Sequence, residues 1–296
     1  MKKIYDVFNI LWKQTAKSDA KTHAGDVKPD GVIEENDFYY ADDGNHYHKL
    51  DVYYPDDGGV KHPVIIDIHG GGWMYADKEL NKMYCLHLAK KGYIVFNVSY
   101  RLVPETTVDG QLRDIALAFK WIKKHLHDFP CEDNKILLTG DSAGGQLAFY
   151  SAVLATNKEL REIFNVEDGG LEFNVLALTH PVAFMNSPVM GLYCRYMWGM
   201  DYKKRPEYFF MNADDIIDYG KIPPTFMITS SGDFLALKQT RRLYKLYADK
   251  HLKAQLMDWP KYKGEDLPHV FSVLRPDREE SQRAIDAMLK FYNRFI

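Results

Sequence analysis

Ser142 is the residue whose setting points most directly to chemistry. It stands in Gly140-Asp141-Ser142-Ala143-Gly144, which fits the pattern Gly-x-Ser-x-Gly. Residues 135–139 form a short apolar run typical of a buried strand, and residues 142–156 have helical spacing. A serine at such a strand-to-helix turn projects its hydroxyl from the sheet edge, and the flanking glycines avoid a Cβ where strand and helix meet. The sequence therefore predicts a serine nucleophile here; a glycine-rich connection with a serine helix cap is the alternative.

A glycine triplet follows an earlier apolar run, in His69-Gly70-Gly71-Gly72-Trp73. Attack on a carbonyl creates a negative oxygen, which needs N–H donors that are fixed in advance. Glycines allow backbone amides to face a cleft that side chains would block. We predict an oxyanion hole formed by the amides of Gly70, Gly71 and Ala143. Two alternatives are a flexible turn and a phosphate-binding loop, although the segment lacks both the G-x-G-x-x-G pattern and the Lys-Ser/Thr pair of a P-loop.

The base that activates Ser142 must be one of eleven histidines. In α/β sheets with a serine at this kind of turn, the order along the chain is serine, acid, histidine. Only His180, His251 and His269 follow Ser142. His269 lies in a loop after the last predicted strand, where it can reach the turn, so we predict it as the base. His180 ends a strand and His251 ends a helix, and we interpret both as structural.

The acid that orients His269 is expected to leave the strand before the last one. Residues 225–230 form an apolar run that ends in Ser231-Gly232-Asp233. We therefore predict Asp233 as the acid. The alternative interpretation of Asp233 is a helix N-terminal residue that stabilises the helix at 235–250. Asp258, at the end of the next strand, is the alternative acid.

Strand-like and helical segments alternate along most of the chain. The predicted strands are 46–54, 64–69, 94–100, 135–139, 175–180, 225–230 and 254–259. The predicted helices are 77–91, 110–127, 142–156, 235–250 and 278–294. Apolar strands separated by helices indicate an α/β fold with a mostly parallel sheet that is covered on both faces. Such folds run to 296 residues as one domain.

Residues 182–223 interrupt this alternation. The segment is rich in methionine and aromatic residues. A crossover between parallel strands needs far fewer than these roughly forty residues. We therefore predict an insertion that covers one edge of the sheet. Its methionines suit an apolar pocket of irregular shape.

The composition excludes several other classes of protein. The chain carries 38 Lys and Arg against 41 Asp and Glu, a net charge of −3, with no block of like charges. That argues against nucleic acid, whose backbone must be met by clustered cations. The three cysteines are scattered, so neither a disulfide framework nor a metal site is indicated, and a cytoplasmic compartment fits best. No apolar run approaches the roughly 18 residues of a membrane span, and residues 4–12 predict an amphipathic helix rather than a signal peptide.

These residues together resemble the hormone-sensitive-lipase-like branch of the α/β-hydrolase carboxylesterases. The resemblance spans residues 45–295 and rests on the two glycine motifs, Asp233 and His269, together with Leu50-Asp51-Val52-Tyr53-Tyr54-Pro55 and Tyr100-Arg101-Leu102-Val103-Pro104-Glu105. It implies an eight-stranded, mostly parallel sheet, a small helical cap built from residues 1–35 and 182–223, and no cofactor. One departure is Val270, where the family usually has a glycine after its catalytic histidine.

The expected function is that of a serine carboxylesterase that hydrolyses short- to medium-chain acyl esters through an acyl-enzyme intermediate. Its partner is a small-molecule ester, and the sequence is compatible with a homodimer. Two alternatives stay open. One is a small amidase or peptidase that uses the same three residues, and the other is a ligand-binding homologue without catalysis.

Overall fold

The computed structural model describes residues 2–296, and eight strands form its single sheet. The sheet order is β1-β2-β4-β3-β5-β6-β7-β8, in which β1 and β2 are antiparallel to their neighbours and the other six strands are parallel. The strands are β1 (Val32–Tyr39), β2 (Lys49–Pro55), β3 (His62–Ile68), β4 (Ile94–Val98), β5 (Cys131–Asp141), β6 (Val175–Thr179), β7 (Thr225–Ser230) and β8 (Ala254–Trp259). The predicted α/β fold with an eight-stranded, mostly parallel sheet is confirmed.

Ten α-helices lie in the part of the chain from residue 2 onward. They are α1 (Lys2–His23), α2 (Lys78–Lys90), α3 (Val108–His125), α4 (Ser142–Thr156), α5 (Lys158–Phe164), α6 (Pro188–Trp198), α7 (Ala213–Ile216), α8 (Leu237–Asp249), α9 (Phe271–Leu274) and α10 (Glu279–Tyr292). Short 3₁₀ turns occupy Leu126–Asp128, Tyr202–Lys204 and Pro206–Phe210. None of the helices in residues 2–296 combines the length and the apolar character that a membrane span requires.

The parallel strands read as continuous apolar runs because both faces of the sheet are buried. In β3, Val64 and Ile66 face one core, and Ile65 faces the other. Residues of α3, α4 and α8 pack into the first core, and residues of α2 and α10 pack into the second. This arrangement leaves the carboxyl edge of the strands free for the loops that carry the predicted chemistry.

The edge strand β1 was not predicted. Its sequence contains Glu34-Glu35-Asn36-Asp37, and its pairing with β2 shifts register between Glu35 and Phe38. An edge strand with one solvated face needs no apolar run, so the pattern that located the inner strands is absent here. Residues 32–35, which the resemblance assigned to a cap, therefore belong to the sheet.

The first helix and the 182–223 insertion pack against each other. Phe8 of α1 makes edge-to-face contacts with Tyr193 and Tyr196 of α6, with ring centroids 4.8 and 4.9 Å apart. Trp12 stacks on Tyr75, which follows the glycine triplet, at 5.5 Å. The insertion joins β6 to β7, so these elements lie at the carboxyl edge of the sheet.

Candidate active site

Ser142 lies at a tight turn where β5 ends and α4 begins. Its φ of 51° falls in the left-handed region, which few residues other than glycine adopt. A Cβ on Gly140 would overlap the carbonyl of Gly144, and a Cβ on Gly144 would overlap the carbonyl of Ile68. The turn therefore needs glycine at both flanking positions, for the steric reason predicted from the sequence.

Ser142, His269 and Asp233 lie together, although they are far apart in the sequence. The Nε2 of His269 is 2.9 Å from the Oγ of Ser142, and its Nδ1 is 3.0 Å from the Oδ1 of Asp233. These side chains follow β5, β8 and β7, whose carboxyl ends share one edge of the sheet. When the imidazole proton is on Nδ1 and donates a hydrogen bond to Asp233, Nε2 is unprotonated and can accept the hydroxyl proton of Ser142.

Asp233 is fully buried and ionised. Burial alone would raise the pKa of its carboxyl group, but hydrogen bonds from His180 and His269 outweigh burial and lower the pKa well below its usual range. Its Oδ1 also accepts the amides of Leu235 and Ala236, each at 2.9 Å. Asp233 therefore makes both kinds of contact that the sequence suggested: it contacts the imidazole of His269, and it accepts backbone amides just before α8.

The alternative residues for the acid and the base lie elsewhere, with one exception. Asp258 pairs with Arg241 at 2.7 Å on the surface, and His251 is exposed at the end of α8. His180, interpreted as structural, instead donates to the second oxygen of Asp233 over 2.7 Å. The position of His180 at a strand end gave no sign of this contact.

Val270, at the departure from the family pattern, adopts φ 49° and ψ 32°. A β-branched residue is rare in this left-handed conformation, which glycine adopts without strain. The amide of Val273 donates to the Val270 carbonyl at 3.0 Å and closes the turn into α9. The loop therefore keeps its shape around the imidazole of His269 despite the valine.

The prediction of Gly70 as an oxyanion donor was wrong. Its amide donates to the Oδ1 of Asp141 at 3.0 Å, inside the protein. A backbone amide has one hydrogen, so Gly70 has none left for a substrate. Tyr100 fixes the same loop from behind, because its hydroxyl donates to the His69 carbonyl at 2.7 Å and its ring stacks on the imidazole.

The next two glycines present their amides differently. Gly71 and Gly72 have φ values of 102° and 56°, and a Cβ would overlap Tyr75 at the first and Trp12 at the second. Within residues 2–296, neither amide donates to a protein acceptor. The amide of Ala143 is in the first turn of α4, where helix amides have no partner within the helix. These three amides therefore have hydrogens that no protein acceptor takes within residues 2–296.

A buried acidic pair lies behind the glycine loop. The Nδ2 of Asn81 donates to Asp67 and to Asp141, each at 2.8 Å. Burial, reinforced by the neighbouring Asp141, raises the pKa of Asp67 to about 8. Burial also raises the pKa of Asp141. Burial and the neighbouring carboxyl group of Asp141 outweigh the hydrogen bond from Asn81, so the protonated form of Asp67 is favoured at neutral pH.

Replacing Asp67 with asparagine is expected to flatten the pH dependence of stability. The pKa of Asp67 is about 8 in the fold, against an ordinary value of 3.8, so the folded protein binds this proton more tightly than the unfolded chain. The free energy of unfolding of the wild type therefore falls as the pH rises through this window. The introduced amide cannot ionise, and it retains an oxygen for Asn81. Urea denaturation at acidic, neutral and mildly alkaline pH measures the effect.

The control for this experiment is Asp42→Asn, because Asp42 is exposed. This variant is expected to follow the wild-type pH dependence. Equal pH slopes for Asp67→Asn and the wild type would contradict the buried acid.

A groove of about 430 Å³ adjoins the glycine loop. Met74 and Tyr75 of that loop form one wall, and Trp12 of α1 forms another. Leu102 and Val103 add apolar surface. The groove therefore offers a largely apolar space bordered by the residues that follow the glycine triplet.

Known proteins resemble this chain over the same elements. The BD-FAE family model matches residues 50–182, a range that contains the glycine triplet and Ser142. The chain is 31% identical over 121 residues to versiconal hemiacetal acetate esterase of Dothistroma septosporum. The aligned region covers 40% of this chain and 35% of that protein. The chain is 30% identical over 107 residues to the probable carboxylic ester hydrolase LipM of Mycobacterium tuberculosis, covering 36% of this chain and 25% of LipM.

The structural likeness extends along the whole chain. A crystal structure of esterase B from Lactobacillus rhamnosis with a C4-C4 SN3 tributyrin phosphonate matches with a TM-score of 0.93 and 30% identity. The match covers 100% of this chain and 96% of that one. The matches to the curated relatives thus span about a third or less of their length, whereas the match to the solved structure includes the segments around Asp233 and His269.

Proposed function

Because this chain belongs to the hormone-sensitive-lipase-like carboxylesterases of the α/β-hydrolase fold, we propose that it is a serine carboxylesterase acting on short- to medium-chain acyl esters. The observation that carries the proposal is the unbroken line of hydrogen bonds from Asp233 through His269 to the Oγ of Ser142. This arrangement turns a weak hydroxyl nucleophile into one that can attack a carbonyl.

In the proposed reaction, the Oγ of Ser142 attacks the ester carbonyl while the Nε2 of His269 takes the hydroxyl proton. Asp233 stabilises the imidazolium that forms and keeps its Nδ1–H in place. His269 then gives the proton to the departing alcohol, which leaves an acyl group on Ser142. Water attacks this acyl-enzyme with the same base, and the acid is released.

The tetrahedral intermediate carries a negative oxygen that needs donors. We assign this role to the amides of Gly71, Gly72 and Ala143, with Gly72 in place of Gly70. Support comes from the hydrogen bond that commits the Gly70 amide to Asp141 and from the unpaired amides that follow it. One such donor is typically worth about 3 kcal/mol of transition-state stabilisation.

The substrate proposal rests on the groove beside the glycine loop. Its volume of about 430 Å³ and its apolar lining suit an acyl chain of modest length. Trp12, stacked on Tyr75, limits the space on one side. The structure of esterase B with a tributyrin phosphonate, a butyryl compound, supports the same size range.

Two further features belong to this proposal. The first is a cap, formed by α1 and residues 182–223, that shapes the entrance through the contacts of Phe8 with Tyr193 and Tyr196. The second is a cytoplasmic location, which is supported by Cys85, Cys131 and Cys194, all free and buried. Reduced, unpaired cysteines are typical of that compartment.

A fluorophosphonate probe combined with a series of esters tests the function. We expect the probe to label Ser142, as read by mass spectrometry of the labelled peptide. We expect kcat/KM to be highest for p-nitrophenyl acetate or butyrate, lower for octanoate and lowest for laurate, because longer chains exceed the groove. An unlabelled Ser142 without turnover of any ester would exclude the esterase, and a butyryl anilide cleaved as fast as the ester would favour an amidase.

A further inference from the structure

A second histidine contacts the acid of the proposed catalytic line. His180 comes directly after β6, and the structure leaves its side chain no exposed surface. Its Nδ1 is 2.7 Å from the Oδ2 of Asp233, shorter than the 3.0 Å between His269 and the Oδ1. The two imidazole rings meet edge to face, with centroids 5.4 Å apart. Asp233 is thus held between two histidines.

The two oxygens of Asp233 have different sets of partners. The Oδ1 accepts His269 and the amides of Leu235 and Ala236. The Oδ2 accepts His180. If His180 were absent, the Oδ2 would be a buried anionic acceptor without this partner, which is a costly state. The carboxylate would then rotate to share its other donors, and the Oδ1 would no longer point at His269.

His180 is suited to act as a fixed donor. Burial lowers the pKa of its imidazole, so the ring is neutral and the hydrogen that faces Asp233 lies on Nδ1. The amide of His180 donates to the Ile228 carbonyl of β7 at 2.8 Å. Two residues later, the amide of Val182 donates to the carbonyl of Ser142 at 3.0 Å. The backbone that carries His180 is therefore anchored both to the strand that delivers Asp233 and to the nucleophile turn.

We propose that His180 is a positioning residue, which holds the Oδ2 of Asp233 so that the Oδ1 keeps the imidazole of His269 aligned with Ser142. This inference rests on the esterase function proposed above. The contacts of His180 with the catalytic residues are its hydrogen bond to Asp233 and its edge-to-face contact with the ring of His269. The hydrogen bond is the contact that fixes the carboxylate.

Two substitutions of His180 separate alignment from packing. His180→Leu removes the donor and retains an apolar side chain. His180→Asn keeps a donor, since its Nδ2 can occupy the place of the imidazole Nδ1. Asparagine also tolerates the left-handed backbone of this position, where φ is 50°. The matched control is His251→Leu, because His251 is exposed and has φ 56°.

We expect His180→Leu to lower kcat roughly 10- to 100-fold, the size of effect that a misplaced reacting group produces. KM is expected to change much less, because His180 lies outside the groove. His180→Asn is expected to recover most of the lost kcat, and His251→Leu is expected to match the wild type. Wild-type kcat in a folded His180→Leu variant, or an equal loss in His180→Asn, would overturn the proposal.

Proton NMR tests the contact independently of turnover. The wild type is expected to show two downfield imidazole N–H signals, from His180 and His269, each hydrogen-bonded to Asp233. His180→Asn removes one of them, and this readout serves even if His180→Leu does not fold. If both variants leave the wild-type pair of signals, His180 does not donate to Asp233 and the proposal fails. If the wild type turns over no ester, the esterase function fails, while the NMR result for His180 stands on its own.

Discussion

Replacing Ser142 with alanine is expected to lower kcat for p-nitrophenyl butyrate roughly 10⁴- to 10⁶-fold. The variant loses the nucleophile, because Ser142 carries the hydroxyl group that lies 2.9 Å from the Nε2 of His269, and the described part of the chain places no other hydroxyl group there. Turnover is measured under substrate saturation, together with the loss of fluorophosphonate labelling. The residual rate reports what the free amides and the groove contribute without a nucleophile.

The control for this substitution is Ser151→Ala. Ser151 is a buried serine on the same helix, α4, and its replacement removes one hydroxyl away from the site. We expect wild-type kcat for this variant. Near wild-type turnover in Ser142→Ala would exclude Ser142 as the nucleophile, however well the residue is placed.

Replacing His269 with glutamine is expected to cost a similar factor, because Ser142 then loses the group that accepts its proton. Glutamine keeps a polar side chain of similar reach, so the fold is expected to be retained. Residues that act as one unit show losses that do not add. The double variant Ser142→Ala/His269→Gln is therefore expected to be no slower than either single variant.

Kinetic constants of the two single variants and the double variant measure this non-additivity. His251→Gln, at an exposed histidine, is the control and is expected to match the wild type. Losses that multiply in the double variant would show that Ser142 and His269 act independently, which contradicts a shared proton transfer.

The sequence alone located much of the candidate site, for identifiable reasons. Parallel strands place their carboxyl ends at one edge, so loops after β5, β7 and β8 were expected to meet there. That expectation brought Ser142, Asp233 and His269 together, and the distances agree with it. Their catalytic roles remain the proposal that the substitutions test.

Other parts of the site could not be read from the sequence. The sequence does not distinguish the amides of three adjacent glycines. Only the fold shows that the Gly70 amide donates its hydrogen bond to the carboxylate of Asp141. The contact between His180 and Asp233 depends on the adjacency of β6 and β7, which no local pattern encodes. Strand β1 lacks an apolar run because it lies at an edge. In each of these cases, the missed feature depends on residues that meet in the fold, whereas the sequence patterns report only local secondary structure.

The stacking of Trp12 on Tyr75 has a practical consequence for work with this protein. One wall of the groove comes from the first helix, whereas the sheet and the hydrogen-bonded line through His269 come from residues after it. Shortening the chain at its beginning, or fusing an affinity tag there, therefore risks reshaping the substrate groove without disturbing the reacting groups. A changed order of preference among esters, with Ser142 still labelled by the probe, is the sign by which such an artefact would be recognised.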